Sequence, residues 1–477
     1  MDSMPMDYRE DVVFSSITLP CGRVLPNRLT KVALYEHLAG LLVFGGLPNK
    51  YHLQLYSKWS MHDWGMIITG NVQVSPQHLC LARDVVVPRH LESEFTLQPF
   101  EKWADAIHGD TRRQNKPLAI MQLSHAGRQS PNVVGGRFPF VPPLGPSRLR
   151  LGSSAKDGGF WSTLLHRLMF QVPRPMSLAD IDEVVQAFVR GANLAVQTGF
   201  DGIQLHGAHG YLLAQFMSAK SNQRSDSYGE DPLRLLHRIV VDTRAAVPDD
   251  FVLGLKINSA DYEGESRALE NIRIIAEWGL VDFIEISGGD YEKPDFLASP
   301  STRQTIFAAF ASQALKTVST SPHPPLVLLT GGLTTPAQLQ TALSSQHADL
   351  VGIGRAAVLR PDLPSLLLKR NCSVETAFAS PPDLRLPSIF SRIPRIPLLG
   401  AGTVMAWYVV ALRRLASTEF SVPDYNIGAL GGIWWMWAWL GPEMSEPGVL
   451  VGAGLIVVAV LVFAAAAGID FLSKTFL

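Results

Sequence analysis

The chain has 477 residues, which is too long for one average domain, although an α/β barrel of about 250 residues with insertions accommodates most of it. Its 41 basic and 42 acidic residues give a formal net charge of -1, which argues against a nucleic-acid partner. Cys21, Cys80 and Cys372 lie far apart and form no CxxC pair, so a zinc site, an iron–sulfur cluster and a disulfide framework are disfavoured. The N-terminus lacks the apolar run of a secretory signal, so we expect a cytosolic location for it.

Short runs rich in Val, Ile and Leu alternate with longer amphipathic stretches from about residue 30 to residue 355. This alternation predicts β–α units around a parallel sheet, and therefore a (β/α)8 barrel within residues 1–378. Eight strands are predicted, at Lys31–Leu34, Met66–Asn71, Leu118–Leu123, Gly202–His206, Val252–Asn258, Asp282–Ser287, Leu326–Thr330 and Leu350–Gly354.

A long insertion separates the third and fourth predicted strands. Residues 130–176 are crowded with Pro and Gly, which predicts a surface loop that caps the site. Ser177 then begins a predicted helix with Asp180 at the capping-box position. The apolar face of this helix, which we expect to pack on the barrel, consists of Ile181, Val184, Val185 and Phe188.

The composition changes after about residue 378. Residues 379–395 form a Pro-rich, basic linker, and residues 396–477 form a hydrophobic C-terminal region with apolar stretches at 396–412, 427–441 and 449–468. Only the last has no charged or strongly polar residue over the ~20 positions needed to cross a bilayer, so it predicts a transmembrane helix. A buried helix of a larger core is the alternative. The first two stretches could lie at a membrane interface, on the barrel or on each other.

The charges around the last apolar stretch predict its orientation. Arg413 and Arg414 precede it, and only Lys474 follows it. By the positive-inside rule, this distribution favours a membrane-associated protein whose barrel faces the cytosol.

The most informative segment is residues 199–229, GFDGIQLHGAHGYLLAQFMSAKSNQRSDSYG, which begins on the fourth predicted strand. Barrel enzymes hold their chemistry at the carboxyl ends of the strands. His206 and His209 could donate two hydrogen bonds to one carbonyl or phenol oxygen, and Tyr211 could protonate the adjacent carbon. Alternatively, the histidines are polar residues of a strand end or a zinc pair. The zinc hypothesis is weak because an H-E-x-x-H helix and a third nearby ligand are missing.

The pattern HxxHxY, followed by LLxQFxS and SNxRxDxYG, resembles the substrate-binding strand of the old yellow enzyme family, in a fungal-like member with a hydrophobic C-terminal extension. Other segments resemble family strands in the same order: LPNRLTKVALYE the first, GMIITGNVQVSP the second, IMQLSHAGRQ the third, LTGGL the seventh and VGIGR the eighth. The resemblance covers roughly residues 12–378.

This resemblance implies that the barrel binds FMN and takes hydride from NADH or NADPH. It implies that Ala33, Asn71 and Gln122 contact the flavin ring, with Gln122 on the pyrimidine edge. Lys256 falls where the family commonly has Arg, beside the flavin N1 and O2 positions, where a cation stabilises the reduced flavin. The residues that the resemblance places at the phosphate are Gly331, Gly332, Gly354 and Arg355.

Two departures from the family pattern bear on the site. Tyr228-Gly229 runs straight into Glu-Asp-Pro-Leu-Arg234, some three residues shorter than in the family, which changes the loop after the fourth strand. Tyr35 takes a position where the family often has a small Thr or Cys, which predicts a narrower pocket.

The function that the resemblance implies is an FMN-dependent NAD(P)H oxidoreductase of the ene-reductase type. Hydride from reduced flavin would reach the alkene of an α,β-unsaturated carbonyl compound, with His206 and His209 polarising the carbonyl and Tyr211 supplying the proton. Two alternatives stay open: a flavin barrel that runs an oxidation or desaturation in biosynthesis, and a membrane-tethered barrel that has lost turnover. The expected partners are a small enone-type substrate and a membrane at the C-terminus.

Overall fold

The structure of the protein is a computed structural model. This structure describes residues 12–40, 45–110, 112, 115–152, 160–258, 264–287, 300–369, 384, 397–417 and 428–439.

Eight parallel strands close into a barrel, which confirms the predicted fold class. In their order around the barrel they are β3 (Leu29–Lys31), β4 (Met66–Gln73), β6 (Leu118–Ser124), β9 (Gly202–His206), β10 (Val252–Asn258), β11 (Phe283–Ser287), β12 (Leu326–Thr330) and β13 (Leu350–Ile353). The pairing of β13 with β3 and of β3 with β4 closes the ring. The remaining described strands are short: β1 (Ile17–Thr18), β2 (Val24–Leu25), β5 (Val85–Val86), β7 (Leu144–Gly145) and β8 (Arg174–Pro175).

Helices surround the barrel. Those before residue 250 are α1 (Lys50–Ser60), α2 (Glu94–His108), α3 (Phe160–Met169), α4 (Leu178–Gln197), α5 (Leu212–Met217), α6 (Ser227–Glu230) and α7 (Arg234–Ala246). Those after it are α8 (Glu265–Glu277), α9 (Pro300–Val318), α10 (Pro336–Ser344), α11 (Arg355–Leu359), α12 (Leu363–Leu367), α13 (Pro397–Ser417) and α14 (Ala429–Ala438). Short 3-10 helices occupy Val12–Phe14 and Gly127–Gln129.

The barrel interior changes character along its axis. Its lower layers are apolar, because alternate strand positions direct Met66, Ile68, Ile120 and Phe283 inward. The β1–β2 hairpin adds Leu19 and Leu25 to this cluster and closes the end where the strands begin. At the other end, the mouth, the last residues of several strands are polar and buried. Buried polar side chains therefore gather at the mouth, as expected of a ligand-binding site.

Most predicted strand bounds agree with the structure to within two residues, but the first strand does not. It spans Leu29–Lys31 and not Lys31–Leu34. One further ladder bond, from Val32 N to Ile353 O at 3.1 Å, follows before the chain leaves the barrel. The helix predicted from Ser177 is confirmed, including its capping box with Asp180 and its buried apolar face.

The insertion at residues 130–176 is more ordered than the surface loop that its composition predicts. It contains the β7–β8 pair and helix α3, and Pro131, Asn132 and Gly135 are buried. Arg137 explains this packing, because its guanidinium donates to Ser130 O at 3.0 Å and Pro131 O at 3.2 Å and so folds the loop on itself. Residues 153–159 lie outside the described range.

The first two apolar stretches of the C-terminal region form α13 and α14, which we call the helix pair. The two helices pack on each other, and α13 also packs on α1 and α11. Among the residues that the structure describes, no helix is both long enough and apolar enough to cross a membrane. The predicted transmembrane helix at 449–468 falls outside the described residues, as does the predicted linker at 379–395 except for Leu384.

Candidate active site

The mouth of the barrel brings together the three residues predicted to carry the chemistry. His206 is the last residue of β9 and is 3% exposed. Its ring centroid lies 5.1 Å from that of His209 and 4.6 Å from that of Tyr211, edge to face in both cases. The tight turn between them includes His209 at φ 58°, a left-handed conformation that is rare outside glycine. Strained backbone of this kind often occurs at functional sites.

Both histidines are neutral. Burial lowers the pKa of His206 well below its ordinary value, and His209 and Lys256 lower it further. Burial, followed by the charge of Lys256, lowers the pKa of His209 to about 3. Nδ1 of His206 accepts from Ala208 N at 3.3 Å, which leaves the proton on Nε2, and Nε2 of His209 lies 3.0 Å from Ser287 Oγ. A neutral imidazole with a fixed tautomer is a suitable hydrogen-bond donor to a carbonyl oxygen.

A pair of side-chain amides lies on neighbouring strands at the same level. Asn71 of β4 is the register partner of Gln122 of β6, and Gln122 Nε2 donates to Asn71 Oδ1 at 2.5 Å. The other amide atom, Gln122 Oε1, is buried and makes no hydrogen bond within the described structure. A buried acceptor without a partner is costly unless a ligand supplies a donor. The N–H of a flavin pyrimidine ring would satisfy it.

A buried ion pair occupies the adjacent strands β10 and β11. Lys256 Nζ lies 2.9 Å from Glu285 Oε1, and both side chains are buried. Glu285 also accepts from Gln204 Nε2 at 2.8 Å through its second oxygen. Lys256 is the register partner of His206, so its charge is next to the predicted substrate site as well as the predicted flavin site. No sequence motif singles out Glu285 and Gln204, although a Glu and a Gln within buried apolar strands are signals of a polar layer.

The residues predicted for the phosphate converge at two neighbouring strand ends. Gly331 and Gly332 follow β12 with φ values of +118° and +72°, which side-chain-bearing residues rarely adopt. Gly354 and Arg355 follow β13, the neighbour of β12 in the sheet. Two glycine turns and an arginine at adjacent barrel strands form a suitable phosphate cradle. With the unsatisfied acceptor of Gln122, these residues fit flavin mononucleotide.

The Tyr35 side chain is held in place by hydrogen bonds from its hydroxyl to the chain that follows β4, and the prediction that it narrows the pocket stays a prediction. The hydroxyl donates to Leu81 O at 3.1 Å or Ala82 O at 3.2 Å. Ala33, two residues earlier, is half-buried against the barrel interior. The prediction that Ala33 contacts the flavin stays a prediction.

A thiol that no motif indicated lies within the site. Cys80 Sγ is 2.9 Å from Gln73 Nε2 and 3.7 Å from Asn71 Nδ2, and its side chain also forms a hydrogen bond with that of Tyr211. Burial raises the pKa of this thiol well above its ordinary value, so it is protonated at neutral pH. Asp84 accepts from Cys80 N at 2.7 Å, and burial raises the pKa of Asp84 to about 7.

The shortened segment after strand β9 folds without a gap. Asp226 caps α6 through Tyr228 N at 3.1 Å, and Tyr228 is buried. The guanidinium of Arg234, at the start of α7, lies 5.5 Å from the centre of the Tyr228 ring. The connection from α6 to α7 is three residues long, and His206, His209 and Tyr211 lie together at the mouth.

Residues 14–371 match the sequence profile of the NADH:flavin oxidoreductase / NADH oxidase family. The NADH-dependent flavin oxidoreductase iccE of Talaromyces variabilis is 34% identical over 425 residues, which cover 84% of this chain and 98% of that protein. The NADH-dependent flavin oxidoreductase iliE of Neonectria sp. (strain DH2) is 37% identical over 368 residues, 73% of this chain. The match covers 46% of that iliE protein, so the chain spans less than half of its length.

Two solved structures share the barrel. Morphinone reductase in complex with tetrahydroNAD aligns with a TM-score of 0.59 and 20% identity, over 79% of this chain and 93% of that chain. The old yellow enzyme homologue from Zymomonas mobilis aligns with a TM-score of 0.58 and 20% identity, over 79% of this chain and 99% of that chain. At this level of identity, the likeness shows the fold.

Proposed function

The chain belongs to the NADH:flavin oxidoreductase / NADH oxidase family, and we propose that this NAD(P)H-dependent FMN oxidoreductase reduces the alkene of α,β-unsaturated carbonyl compounds. One observation carries the proposal: two neutral histidines and a tyrosine meet at the barrel mouth. Their chemistry matches the two demands of the reaction, which are to polarise a carbonyl and to deliver a proton two atoms away.

His206 and His209 bind the substrate carbonyl oxygen. Each neutral ring offers one N–H, from Nε2 in His206 and, with Nε2 accepting from Ser287 Oγ, from Nδ1 in His209. These two donors stabilise the negative charge that builds on the oxygen when hydride adds to the β-carbon. Because both pKa values are low, the rings are neutral and donate hydrogen bonds without an imidazolium proton to transfer. Tyr211 holds a proton on its hydroxyl for the α-carbon, so one hydride and one proton saturate the double bond.

The remaining residues of the mouth hold the cofactor. Gln122 and Asn71 would bind the flavin pyrimidine edge, and Lys256 would stabilise negative charge beside it. Gly331, Gly332, Gly354 and Arg355 would hold the phosphate. When bound, FMN supplies the two-electron carrier that accepts hydride from NADH or NADPH and passes it to the alkene.

An anaerobic spectral experiment on the full chain tests the proposal. The purified protein is reduced with NADH or NADPH and then mixed with 2-cyclohexenone. We expect a flavin spectrum that bleaches with the nicotinamide and returns with the enone. A flavin that bleaches but does not return with enones would favour a site that runs an oxidation or desaturation. A colourless protein that FMN does not reconstitute would favour a barrel without turnover.

We also propose that residues 449–468 anchor the enzyme in a membrane, with the barrel on the cytosolic side. The support is an uncharged run of sufficient length with arginines before it. Deleting residues 449–468 should move the protein from the carbonate-washed membrane pellet to the supernatant. If the shortened protein stays in the pellet, residues 449–468 are not the anchor. Protease added to sealed vesicles whose cytosolic face is outward should digest the barrel, which tests the side of the membrane on which it lies.

A further inference from the structure

The helix pair contacts the mouth of the barrel through an apolar cluster. Val409 and Val410 of α13 and Met436 of α14 are buried against Tyr35 and Leu81. Tyr35 belongs to the segment after β3, and Leu81 belongs to residues 79–85 after β4, which we call the mouth loop. The mouth loop also carries Cys80, the hydrogen-bond partner of Tyr211. The C-terminal helices therefore contact Leu81, which is the neighbour in sequence of Cys80.

Arg413 joins three segments that are distant in sequence. It is 5% exposed, and its Nη1 donates to Trp435 O and Met436 O, both at 3.0 Å. Its Nη2 donates to His37 O at 3.1 Å and to His37 Nδ1 at 2.8 Å, across 376 residues of sequence. Within the described structure, no carboxylate pairs with this guanidinium. Burying a charge without a counterion is costly, so carbonyls and an aromatic ring must hold it in one fixed position.

Arg83 extends the same contact into the mouth loop. It is 1% exposed and donates to Trp439 O at 2.7 Å and Gly40 O at 3.2 Å. Both guanidiniums lie against the Trp439 ring, that of Arg83 at 4.8 Å from the ring centre and that of Arg413 at 4.1 Å. Such cation–π contacts gain strength when they are desolvated. We call Arg413, Arg83, Trp439 and His37 the clasp.

The backbone at the clasp is strained on both sides. His37, Ala82 and Arg83 have φ values of 55°, 56° and 45°, in the left-handed region that side-chain-bearing residues disfavour. Each such residue is energetically unfavourable and persists only where its surroundings impose it. The clasp supplies those surroundings, because Arg413 bonds to His37 and Arg83 bonds to the chain end of α14.

We propose that the clasp positions the mouth loop so that Cys80 holds the Tyr211 hydroxyl, which makes Arg413 of the C-terminal helix pair a positioning residue of the active site. Three contacts connect them: Arg413 to His37, Tyr35 Oη to Leu81 O, and Cys80 Sγ to Tyr211. The role of Tyr211 as proton donor rests on the proposed function, whereas the positioning of Cys80 does not.

The first experiment measures the position of Cys80 without using activity. The full chain with Cys21→Ser and Cys372→Ser keeps Cys80, which is half-buried, as its only thiol. Adding Arg413→Met removes the guanidinium but keeps an apolar side chain of similar length. We expect Cys80 to react with a disulfide reagent about tenfold faster or more, because labelling follows the population of the open loop. Arg414→Met, on the same helix, is the matched control and should label at the parent rate.

The second experiment separates the two half-reactions. In Arg413→Met, reduction of the bound flavin by NADH should keep its parent rate, whereas reoxidation by 2-cyclohexenone should slow by about tenfold, because the proton donor is misplaced. Arg413→Lys keeps the charge and should recover part of the loss. If the parent protein shows no reoxidation by enones, the proposed function fails, and the thiol experiment still decides whether the clasp positions Cys80.

A third variant protects the test against misfolding. His37→Asn removes the imidazole that Arg413 binds, and Asn tolerates the left-handed backbone of this position better than most residues. It should label at Cys80 faster than the parent and melt as a single folded species. Folded Arg413→Met and His37→Asn proteins that protect Cys80 and reoxidise at parent rates would overturn the proposal.

Discussion

The site at the barrel mouth, which we call the strand-end site, and the helix pair are held in place in different ways. The ladder of the sheet positions the side chains of the site, since Asn71 and Gln122, or His206 and Lys256, are register partners on adjacent strands. Single contacts between distant residues position the helix pair, such as Arg413 with His37. Register follows from local alternation and is therefore visible in a sequence. A long-range contact has no local pattern, so an apolar helix that packs on a barrel resembles one that enters a membrane.

Removing the helix pair should give the largest effect. A chain ending at residue 390 loses α13 and α14, including the fully buried side chains Trp407, Leu412 and Leu415. Burying three such side chains is worth roughly 5–9 kcal/mol, which rivals the whole stability of a domain. We expect this chain to be insoluble or free of flavin.

A chain ending at residue 447 is the matched control for that truncation, because it keeps the helix pair and lacks the apolar run at 449–468. It should bind flavin and melt within a few degrees of the full chain in detergent. The comparison is made by flavin content and thermal melting. A stable, yellow chain of residues 1–390 would show that the helix pair is an accessory to the barrel.

How much the sequence predicts follows the same division. Seven of the eight strands, the capping box at Ser177 and the grouping of His206, His209 and Tyr211 follow from alternation or short motifs, and the structure reproduces them. The first strand was misplaced because Val32 and Leu34 extend the apolar run after the ladder has nearly ended. Neither alternation nor a motif indicated Cys80, whose place beside Tyr211 depends on a loop that other parts of the chain hold.

Within the strand-end site, Tyr211→Phe should give the next largest effect. It removes the proposed proton donor and leaves the ring in place beside His206. We expect reoxidation of the reduced flavin by 2-cyclohexenone to slow by about 10²-fold or more, while reduction by NADH is unchanged. Stopped-flow absorbance under anaerobic conditions measures both steps separately. Equal reoxidation rates in the two proteins would remove Tyr211 from the proton-donor role.

A binding measurement sharpens the role of the histidines. His206→Ala should weaken the binding of a phenolic ligand by about tenfold to a hundredfold, since a hydrogen bond to a charged oxygen is worth roughly 1.5–3 kcal/mol. The charge-transfer absorbance of the flavin–phenol complex reports the dissociation constant. The control is His108→Ala on helix α2, whose imidazole bonds to Asp201 at 2.8 Å away from the three site residues. Parent-like binding by His206→Ala would place the phenol elsewhere.

The mouth loop belongs to both regions, and a pH experiment on Asp84 tests how tightly it is held. Burial raises the pKa of this carboxyl from 3.8 to about 7. Between these values the folded state keeps a proton that the unfolded state releases, so the contribution of Asp84 to stability is present in acid and is lost as the pH rises towards 7. Asp84→Asn does not titrate and keeps an oxygen for Cys80 N.

The free energy of unfolding of the parent, relative to that of Asp84→Asn, should therefore fall by about 2 kcal/mol between pH 5 and pH 7.5. This figure follows from about 1.4 kcal/mol per pH unit, reduced for screening by solvent. Denaturant unfolding of both proteins at the two pH values gives this difference, and the buried histidines cancel because both proteins contain them. Exposed Asp249→Asn is the control substitution. If the difference does not change with pH, water reaches Asp84 and the mouth loop opens in the native protein. In that case the clasp would not hold Cys80 in place. The active site would then combine side chains that the strands hold rigidly with a mouth loop that opens.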